Sequence, residues 1–223
     1  MNATFLSRLE QILALYMADY DVDRPVICFD ERPCFLIGNT VEGLEMEAGN
    51  PKRENYAYEK HGSAAVLAAI EPKTGNRLAH VRRHRGKKEF AVFMKQLASF
   101  YPDAKKIVVV LDNLNTHNKA TFYQYFDAQE AAFLADKFEF VFTPKGASWL
   151  NMIEIEFSAL SRQCLDRRIN RINTLAKEVL TYFKQRHELK IKINWKFDRN
   201  AARDVLNRHY TKINKVNIKY KKT

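Results

Sequence analysis

Hydrophobic and polar positions change rhythm several times along this chain. Residues 4–20 place Phe5, Leu9, Ile12, Leu13, Tyr16, Met17 and Tyr20 on one face at helical spacing, which predicts an amphipathic helix. Residues 21–25 break that pattern with two aspartates and a proline. Residues 26–29 form an apolar run ending in Asp30-Glu31, the mark of a buried strand with carboxylates at its end. Residues 38–62 are polar, with Glu and Lys interleaved, and read as a surface excursion between strands. Residues 63–70 and 77–81 predict two strands joined by a turn. Phe90, Phe93, Met94, Leu97, Phe100 and Tyr101 then recur at helical spacing over 88–101.

The second half alternates strands with helices. Residues 107–111 are a β-branched run suited to a strand buried on both faces, ending in Asp112-Asn113. A helix over 118–135, a strand over 138–142 and a helix from Leu150 or Asn151 follow. Antiparallel strands first and strand–helix alternation later predict an α/β fold: a mixed five-stranded sheet flanked by helices. Beyond it, Asn173 is placed to cap a helix carrying Leu175, Val179, Leu180 and Phe183. Residues 190–197 alternate strictly, with Ile191, Ile193, Trp195 and Phe197 facing one way and Lys190, Lys192, Asn194 and Lys196 the other. Asp198 is placed to cap a last helix bearing Val205, Leu206 and Tyr210. The pattern divides into an N-terminal helix (1–24), a core (25–166) and an α/β extension (167–223) packed on that core.

Charge sharpens this division. The chain has 223 residues, with 37 Lys+Arg against 26 Asp+Glu, a net of +11. Residues 1–166 hold 20 basic and 22 acidic residues, so the last 57 residues carry a net of +13. A polyanion such as nucleic acid, or a membrane surface, is the usual partner of such a surface; a solvated tail is the plainer reading. No apolar run is long enough to span a bilayer, and the N-terminus lacks a signal-peptide pattern. Three cysteines, Cys28, Cys34 and Cys164, make no disulfide framework, and their spacing does not suit zinc. A reduced, soluble, cytoplasmic protein is expected.

Three carboxylates stand out by position. Asp30 and Asp112 end apolar strands, and Glu154 lies at the start of a helix. Strand ends of open α/β sheets gather active sites. Neighbouring carboxylates repel unless a cation lies between them, and hard oxygen donors suit Mg²⁺ or Mn²⁺. Singly, each has a plain alternative: a helix cap for Asp112, a solvated strand end for Asp30, a favourable helix-dipole partner for Glu154.

The chain resembles the catalytic region of bacterial insertion-sequence transposases of the mariner superfamily, in the six-thirty branch. The blocks that carry this are Ile27-Cys-Phe-Asp-Glu-Arg-Pro33, Tyr58-Glu-Lys-His-Gly-Ser63, Val109-Val-Leu-Asp-Asn-Leu-Asn-Thr-His117 and Thr143-Pro-Lys-Gly-Ala-Ser-Trp-Leu-Asn-Met-Ile-Glu154. The resemblance implies a ribonuclease H-like fold and an acid triad at Asp30, Asp112 and Glu154. Met152 stands where that family more often has Pro, which leaves Glu156 as a competitor for the third position. Glu154 keeps the family register, and Glu156, two positions on, faces about 200° away around the helix. The family also carries helix-turn-helix modules ahead of its catalytic region, and about 25 residues precede the first strand here, so a separate helix-turn-helix polypeptide is a possible partner.

The implied chemistry is two-metal phosphoryl transfer, with two Mg²⁺ or Mn²⁺ ions held by the three acids. Water would cut a transposon end, and the freed 3′-hydroxyl would attack TA-containing target DNA, in a homodimer by family resemblance. His117 is placed to meet a phosphate or the nucleophile. Lys145 and Trp149 would position the backbone and stack a base, with Trp149 as plain core equally open. Arg167, Arg168, Lys190, Lys192 and Lys196 would grip phosphates without reading sequence. A truncated or domesticated relic, acting as a simple metal-dependent nuclease or as a DNA-binding regulator, stays open beside this.

Overall fold

The computed structural model describes residues 1–40 and 57–220. Five strands form one sheet in the order β3-β2-β1-β4-β5. Strand β1 (Val26–Asn39) pairs antiparallel with β2 (Tyr58–Ile70), and β2 pairs antiparallel with β3 (Arg77–Arg82). On its other side β1 pairs parallel with β4 (Ile107–Leu111), which pairs parallel with β5 (Phe138–Phe142). Strands β1, β3, β4 and β5 therefore all run the same way and share one C-terminal edge.

β1 does not end at Phe29 as its apolar run predicts. It continues to Asn39, so Asp30 lies within the strand, opposite Ala68 of β2. Pairing with β2 carries it on after β4 has stopped, and main-chain hydrogen bonds need no apolar side chains. The predicted excursion over 38–62 loses both margins to these strands, and residues 41–56 of it lie outside the described residues.

The sheet is covered on both faces, and β4 shows why its sequence is unbroken apolar. Val108 and Val110 enter one cluster with Leu9, Ile12, Leu13, Ile153, Phe157 and Val179, from helices α1 (Ala3–Met17), α5 (Ile153–Gln163) and α6 (Ile172–Glu188). Ile107, Val109 and Leu111 enter the other with Phe29, Phe90, Phe93 and Phe122, under α2 (Lys87–Phe100), α3 (Ala120–Tyr125) and α4 (Ala128–Lys137). The single helix predicted over 118–135 is these last two. Asp127 starts the second by accepting a hydrogen bond from Glu130 N at 2.9 Å, which caps a new helix in the middle of the predicted one.

The extension differs from expectation in two places. α6 starts at Ile172 after Arg171, so Asn173 lies inside its first turn and is not its cap. Residues 190–197 form no strand. Lys190 turns at φ 48° and 191–197 are without regular structure, with Ile193 N bonded to Pro72 O at 3.1 Å. The alternation still works as a strap: Ile193, Trp195 and Phe197 pack on the core while Lys192, Asn194 and Lys196 stay exposed. Gly75, at φ +82°, lets the strap come close, since a Cβ there would meet the Lys190 carbonyl carbon at 2.6 Å. The extension is thus helical among the described residues, with α7 (Arg199–Val205) capped by Asp198 as predicted, followed by α8 (Asn207–Ile213). Arg203 and Tyr210 both bond the Glu10 carboxylate of α1, and Arg199 bonds its main-chain oxygen.

Candidate active site

Asp30 and Asp112 meet because their strands are parallel neighbours. The register sets Cys28 beside Val110, and two further residues bring Asp30 beside Asp112. Alternation places Asp30 on the face of Cys28, the face that α5 covers. Its carboxylate accepts a hydrogen bond from Glu31 N at 2.7 Å.

The third acid is delivered by a turn anchored from two sides. Asn151, buried, donates from Nδ2 to Phe29 O at 2.8 Å, gripping β1 one residue before Asp30. Tyr16 OH donates to Leu150 O at 2.7 Å and so ties the same turn to α1. From here α5 presents Glu154, exposed and close enough for its charge to act on Asp30. Glu156 faces elsewhere. It is fully buried, and its two oxygens are held by Arg77 (3.0 Å each) and Arg186 (2.7 and 3.2 Å). Both oxygens being occupied, Glu156 has no lone acid function to offer.

Burial raises the Asp30 carboxyl to about 7; the Glu31 N–H works against this, while the charges of Asp112 and Glu154 add to it. The charges of Asp112 and Glu154 therefore reach the Asp30 carboxyl. Among the described residues, no three His, Cys, Asp or Glu side chains are gathered around a single metal-sized point. The donor chemistry nonetheless fits Mg²⁺ or Mn²⁺: all three are hard carboxylates, and a cation would offset both the burial and the neighbouring charges that raise Asp30.

His117 corrects an expectation. Only 1% of it is exposed, so it meets neither phosphate nor nucleophile directly. It lies against Phe90 and Phe29, its Nδ1 at 2.6 Å from Asp112 Oδ1 and its Nε2 at 3.5 Å from Glu31 Oε1. Burial opposes the imidazolium, but the contacts with Asp112 and Glu31 outweigh it and hold the pKa up to about 9. His117 is a buried cation that positions Asp112. Glu31, from the opposite face of β1 to Asp30, is the partner that sequence reasoning missed; its only signal was standing next to Asp30.

The predicted phosphate contacts are scattered. Lys145 is exposed in the turn before Glu154, and Trp149, 45% exposed, sets its ring edge-on to Phe197 at 5.5 Å. Arg167 pairs with Glu178 at 2.6 Å, Arg168 bonds Asn39 and Ala57, and Lys190 bonds Asn76. These three would have to give up internal ties to grip DNA. Lys192 and Lys196 are exposed, and no hydrogen bond or ion pair holds them among the described residues. Lys190 also lies by the β2–β3 turn, at the end of the sheet away from Asp30.

The family model for DDE superfamily endonucleases matches residues 25–176. The chain belongs to that family. A search of curated proteins finds no match. Solved structures similar to this DDE endonuclease include the Mos1 transposase paired-end complex with left transposon end, with TM-score 0.56 and 11% identity over 82% of this chain and 56% of that one. The Mos1 mariner paired end complex with Mn gives TM-score 0.56 and 12% identity over 100% and 65%, respectively. The Mos1 strand transfer complex gives 0.53 and 10% over 82% and 55%. At such identities the likeness establishes the fold, which is ribonuclease H-like. The DDE endonuclease chain spans 55% to 65% of the length of those chains.

Proposed function

We propose that this chain is the catalytic domain of a DNA transposase of the mariner superfamily, in the six-thirty insertion-sequence branch. Its catalytic unit is residues 25–166, with 167–223 as a DNA-holding extension and 1–24 as the lead-in helix. The observation that supports this best is the sorting of acids on α5: Asp30 and Asp112 come from adjacent parallel strands, the charge of Glu154 reaches Asp30, and Glu156 is locked away by two arginines.

In this reading Asp30, Asp112 and Glu154 hold two Mg²⁺ or Mn²⁺ ions. The chemistry supplied by ions held there is activation of a water or 3′-hydroxyl and neutralisation of the leaving oxygen. The protein's own part is positional. Asn151 and Tyr16 fix the turn from which Glu154 projects, and His117 holds Asp112 while Glu31 balances its charge. Lys145 and Trp149, exposed in the turn before Glu154, are available to a phosphate and an unstacked base. Cleavage exchanges a phosphodiester bond for one to a water oxygen, releasing a 3′-hydroxyl; joining exchanges a target phosphodiester for one to that hydroxyl. Dimerisation, a separate helix-turn-helix polypeptide, TA targeting and a cytoplasmic, nucleoid-associated location belong to the same proposal.

The test scores cutting and joining separately, using duplexes with a pre-cut end and a supercoiled target in Mg²⁺ or Mn²⁺. Joined product that disappears in Asp112→Asn supports the transposase. Hydrolysis with no joined product restricts the protein to a nuclease, and DNA binding with neither reaction leaves a regulator.

A further inference from the structure

A cationic segment lies in the part of the chain whose overall charge is close to neutral. Residues 82–88 read Arg-Arg-His-Arg-Gly-Lys-Lys, five Lys or Arg in seven positions; the remainder of 1–166 holds 15 basic against 22 acidic residues. Averaging over the core conceals it.

Topology puts this segment at the acid edge. β3 runs parallel to β1, and Arg82 pairs with Ala65 of β2, which pairs with Pro33, three residues beyond Asp30. The chain therefore leaves the sheet on the side where Asp30 and Asp112 lie. It then enters α2, which packs on the face opposite α1, α6 and α7.

Nothing in the described fold accounts for these charges. Val81 is the last buried residue of β3, and Arg82, Arg83, His84, Arg85 and Lys88 are all exposed. No acid among the described residues forms an ion pair with any of them; Glu89, the nearest in sequence, caps Gly86 N at 2.9 Å. Five like charges crowded at one loop repel one another, and the positive end of the 14-residue α2 adds to the field. Such a field attracts a polyanion, and arginine forks suit phosphate oxygens.

We propose that residues 82–88 form a second surface for the phosphate backbone of duplex DNA, flanking the acid edge on the face opposite the C-terminal extension. This rests on the proposed reading of the acids as a DNA-processing site. Duplex reaching Asp30 and Asp112 is held from both sides of the sheet: Lys196, beside the Trp149–Phe197 contact, on one, and Arg83, Arg85 and Lys88 on the other. Because the contacts are to phosphates, they set affinity and orientation without reading sequence.

The experiment measures binding of a fluorescent random-sequence duplex by anisotropy across a salt series, using the 223-residue chain in the Asp112→Asn background so that no cutting intervenes. The triple variant R83A/R85A/K88A is expected to bind on the order of 10–100-fold more weakly near 0.1 M salt. Its slope of log K against log salt should be shallower by about 2–3, since each phosphate contact contributes about 0.9. The charge-preserving R83K/R85K pair should keep most of the slope, with matching melting temperatures showing that both variants fold. A folded triple variant with unchanged slope and affinity overturns the proposal, even where the wild type cuts and joins DNA. A wild type that binds no duplex overturns it too. Lost binding in the triple variant beside a wild type that neither cuts nor joins supports the loop and sinks the catalytic reading instead.

Discussion

Two acid groupings in this protein use the same functional groups and end in opposite electrostatic states. Around Glu156, one buried carboxylate meets two guanidinium groups, buried Arg77 and partly buried Arg186, each giving it two hydrogen bonds. Around Asp30, the acids Asp112, Glu154 and Glu31 meet a single buried cation, His117. The first grouping is finished within the chain and joins β3, α5 and α6. The second is left short of positive charge, and that shortfall is what a divalent ion can satisfy. Glu154 and Glu156 lie two residues apart on one helix, so the turn of α5 alone assigns them to different groupings.

Substitutions can break this contrast from either side. The largest expected effect is on chemistry: Asp112→Asn should lower metal-dependent DNA cutting on the order of 10⁴-fold or more, worth several kcal/mol of transition-state stabilisation. Plasmid nicking rates measure it, and a loss within tenfold would remove Asp112 from the site. Next comes Glu156→Gln, which leaves buried Arg77 without its anion and should cost about 3–5 kcal/mol in urea melts. Glu154→Gln, at an exposed position, should leave stability nearly unchanged, and equal losses from the two would erase the distinction.

Smaller effects appear as pH slopes in metal-free protein. Asp30 is raised to about 7 from its ordinary 3.8, so stability present below about pH 4 is lost as pH rises through 7. Asp30→Asn should remove that loss and gain on the order of 2 kcal/mol at pH 7.5, with saturating Mg²⁺ shrinking the gain. His117 is raised to about 9 from 6.5, so its contribution is full below about pH 6.5 and fades as pH passes 9. Melting curves of His117→Asn should lack that decline, and a wild-type slope retained in the variant would dissociate His117 from Asp112. The smallest effect belongs to the strap: Lys192→Ala with Lys196→Ala should reduce the salt slope of duplex binding by about 1–2 and leave melting temperature in place.

Much of this was legible from local pattern. Asp30 and Asp112 announce themselves because apolar runs stop at them, and helical geometry alone separates Glu154 from Glu156. The five strands follow from their rhythm. What escaped depends on partners far away in the chain. His117 looks like a loop histidine until Glu31, on another strand, is brought against it, and Arg77 looks like a strand-end cation until Glu156 arrives 79 residues later. The alternation over 190–197 records which side chains face a core; it says nothing of whether a neighbouring backbone supplies ladder hydrogen bonds. The 82–88 segment was hidden differently, by averaging its charge over a largely acidic surrounding.

The bond between Glu10 and the last helices has a bearing on how the molecule is made. Arg203 and Tyr210 reach a carboxylate 193 and 200 residues upstream. During synthesis α1 leaves the ribosome well before α7 and α8, so Glu10 waits for partners that follow it by 193 and 200 residues. Until then the sheet can assemble but α1 lacks this clasp, so closure over α1 is a long-range step that follows the local ones.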